Sequence, residues 1–199
     1  MMVKRVWSFG VLLLCLAGCG LMPGRGSEPE PVAPRLGLWN DRPEAAAWTG
    51  AAQAALNGHA AALLEVTPDD IGAWCPVYRQ AGPARRSAFW IGLMSALAEY
   101  ESTWNPEVVG GGGRYFGLMQ ISPATARFYG CEAESGQALL NGAANLRCAL
   151  RIWATTVPRD NAVSAGGGVA ADWGPMSRAE PREEMRAAMS QQSYCQAGR

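Results

Sequence analysis

The chain has 199 residues, 49% hydrophobic and 17% charged, with eight tryptophans and a formal net charge of zero. That supplies one domain with a buried core plus extensions. No basic excess points to nucleic acid, and the glycine run at 110–113 lacks the Lys and Ser/Thr of a phosphate-binding loop.

The first element is a leader. Lys4 and Arg5 precede an apolar run at 6–17 that only Ser8 and Gly10 interrupt. Such a run is shorter than the ~20 residues needed to span a bilayer, and its layout is that of a secretory signal peptide. It closes on Leu16-Ala17-Gly18-Cys19, which resembles the bacterial lipobox. The resemblance implies removal of residues 1–18 and lipidation of Cys19. Gly20, in place of an inner-membrane retention Asp, favours the outer membrane. The expectation is a periplasmic domain anchored through lipid. Residues 19–43 carry five prolines and little periodicity, and read as a flexible tether.

A helix is predicted over 44–66, with Trp48, Leu56, His59 and Leu63 at helical intervals and Gly50 and Gly58 weakening it. His59 reads as a neutral packed or partly exposed side chain. Thr67-Pro68-Asp69-Asp70 predicts a helix start with Thr67 as N-cap. A long helix follows over 83–103, ended by Asn105-Pro106. Residues 108–121 read as irregular or short-strand structure. Ser122-Pro123 opens a short helix that Gly130 stops, another runs over 141–155, and the last begins near Pro181 after a glycine-rich loop.

Cys15 would leave with the signal and Cys19 carry lipid, so Cys75, Cys131, Cys148 and Cys195 remain. An even count in an exported chain reads as disulfides, and four cysteines allow three pairings. Cys131 with Cys148 would close a short loop, and Cys75 with Cys195 would tie the domain's ends; this pairing is the expected one. With no C-x-x-C spacing and His59 the sole histidine, zinc is disfavoured.

Glu99 and Glu101 stand near the end of the long helix. On a wheel of about 100° per residue, Trp90, Leu93, Met94 and Leu97 form an apolar stripe, and Glu101 falls within about 20° of Trp90. Glu99 points about 180° away, to solvent. A carboxyl on the covered side, at the negative end of a helix, has its acid form favoured by both burial and the dipole. That is what general-acid cleavage of a glycoside needs. The structural alternative is an edge position paired with an arginine.

The neighbours favour chemistry. "ESTWNP" at 101–106 is followed by "FGLMQISPATA" at 116–126 and "NGAANLRCAL" at 141–150. In that order and spacing, the pieces resemble the soluble lytic transglycosylase (SLT) domain of the lysozyme-like superfamily, over about residues 87–155. The resemblance implies a mainly α, lysozyme-like single domain at 44–199 with at most a small β-hairpin, stapled by two disulfides. It makes Glu101 the catalytic acid and Ser102 the residue after it. Gly117, Met119 and Gln120 would line the sugar groove, with Leu118 in the core. Asn145 either supports the groove or caps its helix.

Two departures stand out. Tyr115 and Phe116 replace small residues before the Gly-Leu-Met-Gln motif and offer faces for sugar stacking. The family's later Tyr-Asn-Ala-Gly segment has no tyrosine here, and Trp173 is expected in that space.

The resemblance implies cleavage of the β-1,4 bond between N-acetylmuramic acid (MurNAc) and N-acetylglucosamine (GlcNAc) without water, giving 1,6-anhydromuramoyl ends. One glutamate serves as acid then base, with no metal or cofactor. Glu107, Glu132 and Asp172 would act as a second acid only if the fold brought them in. The expected partners are peptidoglycan strands, the membrane, and an unnamed cell-wall machine. The alternatives are a goose-lysozyme-like muramidase that uses water, and a peptidoglycan-binding lipoprotein without turnover, which the missing tyrosine favours.

Overall fold

In the computed structural model of the chain, residues 38–197 are described. The expected signal peptide, Cys19 and most of the tether lie outside the described residues. The helices are α1 (Ala45–Leu56), α2 (Ala62–Glu65), α3 (Ile71–Trp74), α4 (Pro83–Ser102), α5 (Pro123–Phe128), α6 (Gly136–Leu139), α7 (Gly142–Asp160), α8 (Gly174–Ser177) and α9 (Ala179–Ser190). Short 3-10 turns fall at Tyr78–Gln80, Gly168–Ala171 and Ser193–Cys195. The two strands β1 (Val109–Gly110) and β2 (Tyr115–Phe116) form an antiparallel hairpin, with Val109 opposite Phe116 and Gly110 opposite Tyr115. The mainly α architecture with one small antiparallel hairpin is the expected one.

α4 runs through the middle. Its predicted stripe of Trp90, Leu93, Met94 and Leu97 is fully buried, but so are the residues between, from Ser87 to Ala98. A helix covered on all sides needs apolar or small residues on every face. α1, α2, α8 and α9 pack around it, and α7 packs on α1 and α2. Gly92 admits the Tyr194 ring against the helix, where any Cβ would strike the phenol oxygen. Tyr78 and Trp90 both donate to the Leu63 carbonyl, at 2.9 and 2.8 Å, which locks α2 onto α4.

The sequence reading needs correction at four places. The helix expected over 44–66 is two helices, because the chain turns at residues 57–61 around Gly58. Thr67 caps nothing: α3 starts at Ile71, and Asp70 holds a distant loop instead. The Asp70 carboxylate accepts the backbone N–H groups of Val163, Ser164 and Ala165 at 2.7, 2.9 and 3.0 Å. Trp39, inside the stretch read as tether, is 1% exposed. Its N–H donates to Ser95 Oγ at 2.8 Å and its ring meets Trp48 edge-on, so the folded part begins before residue 44. Finally, α7 continues to Asp160 with Pro158 in its last turn.

Both expected disulfides are present. Cys75–Cys195 joins the turn after α3 to the end of the chain, and Cys131–Cys148 joins the segment after α5 to α7, with Cα–Cα distances of 4.7 and 5.1 Å. Replacing Cys131 and Cys148 by alanine should lower unfolding free energy by roughly 3 kcal/mol, the loop-closure value for about this separation. Urea titration under oxidising conditions checks this, and an unchanged midpoint would refute it.

Candidate active site

The site begins where α4 stops. Thr103 and Trp104 have φ of 53° and 56°, two successive left-handed residues without glycine. Each such residue costs about 1–2 kcal/mol. Trp104 is fixed by its indole N–H on the Ser95 carbonyl at 2.8 Å and by the Arg42 guanidinium 5.0 Å above its ring. The helix therefore ends at Ser102, ahead of Asn105-Pro106. Glu101 is held in the final turn.

Glu99 is exposed and Glu101 is half-buried, as the wheel predicts. Burial pushes the Glu101 carboxyl from its ordinary 4.5 up to about 7, while the nearby Arg178 guanidinium acts in the opposite direction. Desolvation penalises the carboxylate more than one partly solvated cation favours it. Glu101 is thus divided between acid and base forms near neutrality.

The second part is the loop from Phe116 to Ile121. Gly117 has φ +77°, and a Cβ there would strike the Leu139 carbonyl and the Asn145 amide, so only glycine fits. Asn145 is fully buried. Its Oδ1 accepts the Met119 N–H at 2.9 Å, and its Nδ2 donates to the Phe116 and Leu139 carbonyls, both at 2.9 Å. The Ser102 hydroxyl donates to the Leu118 carbonyl at 3.0 Å, which ties the loop to the residue after Glu101. The Trp173 indole donates to the Met119 carbonyl at 2.8 Å.

These bonds reassign several side chains. Ser102, Asn145 and Trp173 are buried and hydrogen-bonded to the loop, so they position it rather than face the groove. Asn141, not Asn145, caps α7, accepting the Ala144 N–H at 3.0 Å. Met119, like Leu118, has a fully buried side chain. Gln120 has φ 47°, and its Nε2 donates to the carbonyls of Val108 and Gly117 at 3.1 and 2.9 Å, bracing the hairpin. Tyr115 is exposed, with the Arg114 guanidinium 5.8 Å from its ring centre. Phe116 is half-buried; its ring lies where a Cβ on Gly136 would come within 2.6 Å, so Gly136 makes room for it.

None of the three other acids contributes to the shift of Glu101. Glu132 lies 3.8 Å from Arg147, in the crevice beside His59. Asp172 accepts from the Tyr129 hydroxyl at 3.2 Å, and Glu107 is exposed. Among the described residues, the charged neighbour that moves Glu101 is Arg178. Sequence reading missed Arg178, which lies outside the motifs. It also missed the Asp70 clasp, because paired acids after Thr-Pro look like a helix start.

A helical core and a half-buried glutamate at the end of its central helix define a lysozyme-like protein. Residues 81–161 match the Transglycosylase SLT domain family model. Among solved structures it is similar to a glutamate-to-glutamine variant of Bd0314 DslA, at 26% identity over 80% of this chain and 97% of that one, with a TM-score of 0.73. A second such variant, substituted at a different glutamate, gives 25% identity over 81% and 98% with a TM-score of 0.72. Wild-type DslA gives 25% over 80% and 97%, with a TM-score of 0.71. No curated protein sequence matches.

Proposed function

We propose that the chain is a peptidoglycan lytic transglycosylase that cuts the MurNAc–GlcNAc β-1,4 bond without water. The observation that carries this reading is Glu101: half-buried, with its carboxyl pushed up to about 7 without a contribution from a second carboxylate, and bordered by a loop of the SLT motif. Its acid form donates a proton to the glycosidic oxygen as the bond to the muramoyl C1 breaks. The resulting carboxylate then takes the proton of the C6 hydroxyl as that oxygen attacks C1. The glutamic acid is regenerated and the sugar is left as the 1,6-anhydro form. The exposed Tyr115 ring offers a stacking face for a neighbouring sugar.

The test is mass spectrometry of products from purified sacculi, incubated with the chain and with its Glu101→Gln variant. Anhydro ends from the wild type alone support the proposal. Reducing ends would make the enzyme a muramidase. Binding without soluble products, under conditions where another wall enzyme cuts, would make it a glycan-binding protein.

We further propose that Cys19 carries the lipid that holds the domain at the periplasmic face of the outer membrane. The lipobox-like end of the leader supports this. Metabolic labelling with a fatty acid should mark the wild type and not Cys19→Ser, which should leave the membrane fraction. Equal labelling of both would refute the anchor.

A further inference from the structure

Beside the end of α4 lies a depression of about 300 Å3, lined by Tyr100, Arg178, Glu180, Pro181 and Glu184. The Tyr100 hydroxyl donates to the Glu184 carboxylate, which fixes one wall between α4 and α9. Tyr100 directly precedes Glu101, and Arg178, at the junction of α8 and α9, is the cation whose field reaches Glu101. The depression therefore adjoins the reacting centre.

Its charges are available. Arg182 donates to Glu183 and to the Ser177 carbonyl, both at 3.3 Å, and Arg186 pairs with Glu183 at 3.0 Å. Among the described residues, neither Arg178 nor Glu180 has a side-chain hydrogen bond or ion pair. The site thus presents one guanidinium without a hydrogen-bonded partner and two carboxylates along the start of α9, facing Tyr100 of α4. A group bearing a single negative charge would be attracted by Arg178 and repelled by both glutamates. A group with a carboxylate and an ammonium side by side satisfies all three.

We propose that this depression receives the zwitterionic diamino-acid group of a peptidoglycan stem peptide, with Arg178 binding its carboxylate and Glu180 and Glu184 its ammonium. Arg178 is then a specificity residue that favours strands with stems over stripped ones. This rests on the lytic transglycosylase reading. The guanidinium fork matches a carboxylate in two parallel hydrogen bonds, and loss of a charge-assisted bond of that kind weakens binding by about tenfold or more.

The experiment measures Kd in the Glu101→Gln chain, so that ligands survive. Three are compared: soluble glycan chains bearing stems, the same chains stripped by an amidase, and a hexamer of GlcNAc, which carries no carboxylate. Stem-bearing chains should bind most tightly. Arg178→Gln should weaken them about tenfold and leave the other two unchanged, with partial recovery in Arg178→Lys. Equal weakening of all three ligands, or of none, overturns the proposal. Selective weakening of stripped chains also overturns it, and would assign Arg178 to the lactyl carboxylate. If none of the three binds, the underlying function falls as well.

Discussion

Glu101→Gln is expected to reduce glycan cleavage by at least ~10³-fold, because in the proposed mechanism one side chain supplies both proton-transfer steps, each worth about 10²–10⁴. The variant should nevertheless be the more stable protein. The wild-type carboxyl sits near pKa 7 in the folded chain against an ordinary 4.5. A folded pKa above the unfolded one means that folding favours the acid form. Below pH 4.5 both states are protonated and nothing is lost. Between 4.5 and 7 the unfolded chain ionises while the folded chain resists, so a penalty accumulates, and above 7 it is constant. It is on the order of 3 kcal/mol. Glu101→Gln should therefore melt higher than wild type at pH 8 and equally at pH 4. Wild-type activity should fall about tenfold per pH unit above 7, as the acid form is lost. Measured melting curves that coincide at pH 8 would count against burial as the origin of the site's acidity. Residual cleavage within tenfold of wild type would remove Glu101 from the mechanism.

Asn145→Ala should cost roughly 4 kcal/mol of stability, since it leaves the Met119 N–H and the Leu139 carbonyl buried without partners, at ~1–3 kcal/mol each, while the Phe116 carbonyl keeps the Ile121 N–H. Activity should fall even where the variant is folded. The loop those groups fix is hydrogen-bonded to Ser102, next to the proposed acid, and small misplacements near a reacting centre are expensive. Urea titration and product release at low temperature separate the two effects. A loss under 1 kcal/mol with full activity would show that the loop holds its shape without the amide. Asn145→Asp should be no better, because it exchanges two donors for a buried charge.

What the sequence disclosed followed from periodicity and local chemistry. The wheel over α4 separates Glu99 from Glu101 because both lie on one regular helix whose stripe is long enough to set a direction. Ser122 was legible as a cap for the same local reason: its hydroxyl accepts the Thr125 N–H three residues on, at 3.0 Å. The failures are non-local. Asp70 is matched with residues more than ninety positions away, so nothing nearby distinguishes it from a helix-start acid. Trp39 sits among prolines and glycines, and only the surface of α4 reveals that it is core. Asn145 could be placed in a motif, but its three bonds reach residues 6, 26 and 29 positions off. Arg178 gave no local signal, since its partner in charge is Glu101, on a helix far back in the chain.

The burial of Trp39 also sets a leash. If Cys19 carries the proposed lipid and the chain is pinned at Trp39, about twenty residues would separate membrane from fold, and fully extended they would span at most ~70 Å. On that proposal, cleavage would be confined to a shell of that radius around the anchor. The proposed insertion point of the lipid would then decide which glycan strands the domain can meet.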